Sequence, residues 1–416
     1  MIRQASRRSF LKGSASSAAL VALSQSVPQF LLNASARAAQ SAGETILVVI
    51  QLSGGNDGLN TVIPYADDVY RRSRPLLGIP TAQVKKIDQY VGLHPAMGAF
   101  SKLLEEGRLG IVQGAGYPVP DRSHFSSMDI WQTARRDVTT AADAFRATGW
   151  IGRYLDGNAG AGADVPAMHL PSGAGRLPLA LSGQSPHATS VQSLEAFKLE
   201  DGGDPRIRQS IQKAVAAKRD ERDELVQFLH ASTRAAIESS REVQEAVQRY
   251  QTDVKYPDSS LARRLKTVAQ LIDAELRTRV YYLDLDGFDT HSSQAAAHAG
   301  LLGQLSDAVA AFMHDLKQHS HEQRVLLMTF SEFGRRVHEN ASGGTDHGTA
   351  APMFIAGGKV KAGLLTPHPD MTKLDEGDLR FTTDFRGVYA SVLEQWLGVP
   401  SEMLLGGRFS PVKLLA

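Results

Sequence analysis

The sequence predicts an α/β protein, built on a central, largely parallel sheet flanked by helices and carrying a helical insertion. Three observations lead there. Residues 44–52, 280–285 and 324–330 are continuous apolar runs rich in β-branched side chains, the pattern of strands buried on both faces. Between the last two, residues 295–317 repeat Leu301, Leu302, Leu305, Val309 and Phe312 at helical spacing, which makes a β-α-β unit. Residues 190–276 are instead charged, repeatedly amphipathic and nearly free of strand signals, with breaks at Asp201-Gly202-Gly203-Asp204-Pro205 and Tyr256-Pro257-Asp258.

Taken from the N-terminus, residues 1–38 form a basic tail with Arg3, Arg7, Arg8, Lys12 and Arg37 and no acid. A basic start, a short apolar middle interrupted by serines and Gln25, and an Ala36-Arg37-Ala38 end describe an export signal. The middle is too broken for a permanent membrane span. Arg7-Arg8 before Ser9-Phe10-Leu11-Lys12 resembles the twin-arginine signal, so the expected partner is the twin-arginine translocation machinery. The mature chain then starts near Ala39 and resides in the periplasm or is secreted, with no stable membrane span.

The first strand, 44–52, runs into the turn Ser53-Gly54-Gly55-Asn56-Asp57-Gly58. A second, 109–113, leads through a Gly/Pro loop to Asp121-Arg122-Ser123-His124-Phe125 and a helix through Met128 to Ala134, with Ser123 as a fitting N-cap. The third, 280–285, ends in Asp286-Gly287-Phe288-Asp289-Thr290-His291, and the fourth, 324–330, in Ser331-Glu332-Phe333-Gly334-Arg335. A fifth, 352–358, follows Gly344-Thr345-Asp346-His347-Gly348.

Composition narrows the chemistry. The 416 residues contain no cysteine, which removes disulfides, thiolate metal sites, iron–sulfur clusters and cysteine nucleophiles. The net charge of +1 falls to −4 without the tail, 40 basic against 44 acidic residues, and carries no nucleic-acid footprint.

What remains is polar chemistry at strand ends, where open α/β sheets bind ligands. Asp57, Ser123, Asp289, His291, Glu332 and His347 all follow strands or closely precede one. Carboxylates with imidazoles suit Zn²⁺, Mn²⁺ or Fe, and carboxylates with water suit Mg²⁺ or Ca²⁺. The blander roles are equally specific. Asp57 fits a simple turn, Ser123 a helix cap, and Glu332 an ion pair with Arg335 or Arg336. His94, His298, His319 and His321 read as capping, helical or solvated histidines. Asp289, His291 and His347 are expected to meet at one edge of a parallel sheet.

Several motifs in order, LVVIQLSGGNDGLNTVIPY (47–65), RSHF (122–125), LDGFDTH (285–291), TFSEFGRR (329–336), TDHG (345–348) and TDFR (383–386), closely resemble the exported bacterial family called domain of unknown function 1501. That family is remotely similar to the alkaline phosphatase and sulfatase superfamily. The resemblance implies an alkaline phosphatase-like domain over residues 39–416, with 190–276 inserted in it. It implies a divalent metal ion (Zn, Mn, Mg or Ca) held by Asp57, Asp289, His291, Glu332 and His347, and Ser123 as nucleophile. Arg122 or Arg335 would clamp a tetrahedral anion. The implied activity is hydrolysis of phosphate or sulfate esters, small or polymeric. Glu332-Phe333-Gly334 stands where the superfamily usually has Asp-His-Gly, so one imidazole ligand is lost. That loss favours the rival expectation of a non-catalytic exported binding protein that keeps the fold.

Overall fold

A computed structural model describes residues 45–136, 148–158, 166–173, 176–184, 188–191, 245, 247–276 and 278–416. The tail 1–38, expected to be the export signal, and residues 192–244 of the expected insertion lie outside the described residues.

The elements that position the site are β1 (Ile46–Ser53), α1 (Gly98–Glu105), β2 (Leu109–Gly116), α2 (His124–Thr133), β3 (Ala167–Leu170), β4 (Ala188–Ser190), α3 (Ser260–Asp273), β5 (Val280–Asp286), α4 (Gln294–Gln318), β6 (Val325–Phe330), β7 (Ala351–Gly357), β8 (Gly363–Leu364), β9 (Thr383–Asp384) and α5 (Phe385–Ser391). The central sheet runs β8-β2-β7-β6-β1-β5-β3-β4, with β9 also paired to β2. β1 lies at its centre, parallel to both β5 and β6.

The unbroken apolar run of β1 has a direct cause. Ile46, Val48, Ile50 and Leu52 feed a core beneath α1, α3 and α4, while Leu47 and Val49 feed a second core containing Trp131, Phe385 and Tyr389. Successive strand side chains point to opposite faces, so a strand covered on both must be apolar at every position. Each such side chain contributes roughly 1.5–3 kcal/mol relative to exposure. In α3, Leu261, Leu265, Val268 and Ile272 enter the first core, and Ser259 caps the helix by accepting the Ala262 N–H at 3.2 Å.

One strand departs from the expectation. β7 is antiparallel to both β2 and β6. The difference decides where the site forms. Residues that precede a parallel strand begin at the opposite edge of the sheet from residues that follow one. Because β7 is reversed, His347, which precedes it, reaches the edge where β1, β5 and β6 end.

Candidate metal centre

The ends of these strands are locked together by close backbone approaches. Ser53 pairs with Asp286 in register, and Phe288 N–H donates to Ser53 O at 3.1 Å. Gly54 follows at φ +113°, and a Cβ there would stand 2.3 Å from the Asp289 nitrogen. Glycine therefore lets the Asp289 loop lie across the end of β1. After β6, Gly334 and Gly348 exchange backbone hydrogen bonds with the opposing segment, and Arg335 bridges to His347.

Four side chains meet in this corner. His291 Nε2 and His347 Nε2 are 2.9 Å apart, and they lie 3.1 and 3.2 Å from Asp289 Oδ1. His124, the first residue of α2, brings its Nε2 to 3.4 Å from Asp289 Oδ2. In each ring the other nitrogen is engaged. His124 Nδ1 faces Glu332 Oε1 at 2.8 Å, His347 Nδ1 faces the Arg122 carbonyl at 2.8 Å, and His291 Nδ1 faces Asp346 Oδ1 at 3.3 Å. Those partners are acceptors; with the proton on each Nδ1 to meet them, each Nε2 would present a lone pair toward Asp289.

Such an arrangement fits a cation. Two Nε2 lone pairs at 2.9 Å repel unless something positive stands between them. Donors at about 2.0–2.2 Å from a tetrahedral ion are separated from each other by roughly 3.4 Å, near the spacings found here. One ligand atom each from His124, Asp289 and His347 falls within 4.8 Å of the others, a group able to hold a metal ion. Burial pushes the Asp289 carboxyl up, but the Arg335 guanidinium hydrogen-bonded to it outweighs this and holds its pKa at about 2. Burial also holds the His347 pKa below its ordinary value, which keeps that imidazole neutral.

Other residues expected at the site are engaged elsewhere. Asp57 is buried and ion-paired with Arg74, and Gln294 donates to the same oxygen. Burial raises its pKa, the Arg74 charge more than reverses this, and the group is held below the usual carboxylate range. Asp57 thus faces a guanidinium where a metal was expected. Glu332 points at the outer nitrogen of His124 and also accepts the Gly54 N–H at 2.8 Å. The Arg335 guanidinium is sealed from solvent, donating to the carbonyls of Gly54, Gly55, Phe288 and Thr345 and at 2.6 Å to Asp289. Shut from solvent, it faces these carbonyls and Asp289 and no open space where a substrate anion could sit. Arg122 pairs with the buried Asp378 and lines a cavity of about 770 Å³ together with Ser126, Arg136 and Glu376. Ser123 caps α2 without a side-chain hydrogen bond, and its hydroxyl is exposed. Phe333, expected to stand in place of an imidazole ligand, packs its ring 4.9 Å from His124 and 4.7 Å from His347.

His124 is the side chain of this corner that sequence reasoning passed over. Its only signal was its place beside Ser123 at the start of a helix that follows a strand.

Solved structures similar to this chain include a sulfatase from Pseudoalteromonas sp., 13% identical over 97% of this chain and 76% of that one, with a TM-score of 0.41. A protein in the alkaline phosphatase superfamily from Vibrio parahaemolyticus is 10% identical over 88% and 69%, with a TM-score of 0.41. Alkaline phosphatase from the Antarctic bacterium TAB5 is 11% identical over 76% and 92%, with a TM-score of 0.32. No curated protein matches the chain. A family model described as "Protein of unknown function (DUF1501)" matches residues 44–384, which is most of the chain and takes in every strand that builds the corner around Asp289; the chain belongs to the DUF1501 family.

Proposed function

We propose that this protein is an exported hydrolase of phosphate or sulfate esters that works with a divalent metal ion held by Asp289, His291 and His347. The observation that carries the reading is the convergence of two imidazole Nε2 atoms on one carboxylate oxygen. An ion bound there would polarise an ester oxygen and favour deprotonation of a nucleophilic hydroxyl. The chain's own residues do the rest. Asp289 is kept ionised by Arg335, and the Arg122 carbonyl and Asp346 fix the tautomers of His347 and His291. Ser123, at the N-terminus of α2 and one residue before His124, supplies the attacking hydroxyl. The cavity beside Arg122 takes the organic part of the ester, a small molecule or a polymer segment.

Export through the twin-arginine machinery to the periplasm or medium is part of the same reading and rests on Arg7 and Arg8. No helix among the described residues is long and apolar enough to cross a membrane.

A second reading, an exported binding protein without catalysis, draws on the Ser123 hydroxyl, which no general base touches, and on Phe333 at the lost imidazole position. Metal analysis of the purified mature protein with a panel of phosphate and sulfate esters separates the two. Bound metal with turnover supports the hydrolase. A metal-free protein that hydrolyses nothing supports the binding protein.

A further inference from the structure

The corner around Asp289 contains one nitrogen with no assigned task. His124 Nε2 is shut from solvent and makes no hydrogen bond. It points toward Asp289 Oδ2 at 3.4 Å without hydrogen-bond geometry. A buried polar atom left in this state costs stability unless something fills the gap.

We propose that His124 is a ligand of the same metal ion through Nε2, and that Glu332 is the residue that positions it and is not itself a ligand. The inference deepens the metallohydrolase reading and rests on it. Three lines of geometry support it. First, Glu332 sits on the wrong side of the ring: an atom hydrogen-bonded to Nδ1 and an ion bound to Nε2 of the same imidazole lie roughly 7 Å apart, about three times a metal–oxygen bond. Second, both Glu332 oxygens already have partners. Oε1 takes His124 Nδ1–H and the Gly54 N–H, each at 2.8 Å, and Oε2 takes the Ser331 hydroxyl at 3.2 Å. Third, His124 repeats the pattern of its neighbours, with Nδ1 tied to an acceptor and Nε2 aimed at Asp289. Its ring stands edge-on to His347 at 4.3 Å. A carboxylate on the outer nitrogen of a metal-bound histidine fixes its tautomer and raises its basicity.

Adding His124 changes the donor set to three imidazoles and one carboxylate. Imidazole suits Zn²⁺, Fe²⁺ and Ni²⁺, while Mg²⁺ and Ca²⁺ want oxygen. The centre therefore takes a transition ion and rejects Mg²⁺ and Ca²⁺. Ion pairing at Asp57 agrees with a single ion, because Arg74 already supplies that carboxylate with a positive partner.

The test is Co²⁺ titration of the metal-stripped mature protein, followed by calorimetry and by visible absorption, which reports the ligands directly. Wild type should bind one Co²⁺ and show no competition from Mg²⁺ or Ca²⁺. His124→Ala should weaken binding by about 100-fold or more and alter the spectrum. Glu332→Gln keeps an acceptor for Nδ1 and should stay within about tenfold of wild type, whereas Glu332→Ala should lose ~10–100-fold with the band shape retained. Circular dichroism confirms that each variant is folded. His124→Ala binding as tightly as wild type, or Glu332→Gln losing as much as His124→Ala with a changed spectrum, would overturn the assignment. Wild type that binds no Co²⁺ or Zn²⁺ would overturn the metallohydrolase reading beneath it.

Discussion

The Arg74 guanidinium lies 2.5 Å from Asp57 Oδ2, with both side chains entirely shut from solvent. Arg74 also donates to the Val337 and Arg336 carbonyls, so it ties the turn after β1 to the segment after β6. Removing one partner of a buried pair strands the other charge, which costs about 3–5 kcal/mol. Asp57→Ala should therefore lower unfolding stability by that amount in urea titrations while leaving the metal affinity of the folded protein unchanged. A folded Asp57→Ala that keeps its stability but loses metal would restore Asp57 to the ligand set.

Acid should weaken the protein well above the carboxylate range. His298 is buried against Asn56, to whose Oδ1 its Nε2 lies 3.0 Å, and burial pulls its pKa down from 6.5 to about 4 despite the nearby Asp57 charge. The unfolded chain binds that proton more readily, so stability rises with pH between these values. The contribution, roughly 3 kcal/mol at about 1.4 kcal/mol per unit, is fully present above pH 6.5 and lost as pH falls toward 4. His94, whose pKa burial also lowers, acts in the same direction. Urea midpoints for wild type should drop across this window, and His298→Asn should flatten the drop. Equal slopes in the two proteins would remove His298 as a cause.

Ser123 can be separated from the metal. Because its hydroxyl touches none of the cluster, Ser123→Ala should bind metal normally yet lose ester hydrolysis by ~10³-fold or more. Retained turnover would assign the attack to water instead.

Export should depend on the guanidinium pair. Arg7→Lys with Arg8→Lys preserves charge but not the planar fork. Fractionation should find the double variant retained in the cytoplasm. Normal delivery to the periplasm would point to a route that reads charge alone.

How much was legible follows from what each residue's role depends on. β1, β5 and β6 announced themselves because burial on both faces demands an unbroken apolar run, and the run is local. The direction of β7 was not read, although a signal existed. No helical period lies between β6 and β7, and a parallel connection normally needs a crossover helix. That Asp289, His291 and His347 meet in space was legible because a short polar motif adjoins a buried strand. His124 was not, since its meaning depends on Glu332, 208 residues away. Arg74 sits in Tyr70-Arg71-Arg72-Ser73-Arg74, which reads as a solvated basic patch, and only the fold turns its third arginine inward to Asp57.

The central claim is that one ion joins Asp289, His291 and His347. Anomalous diffraction from crystals of the mature protein grown with Zn²⁺ tests it most directly. One strong zinc peak should lie within about 2.0–2.2 Å of His291 Nε2, His347 Nε2 and an Asp289 oxygen. No peak in that corner with the three side chains still converged, or a peak at Asp57 with Arg74 displaced, would contradict it.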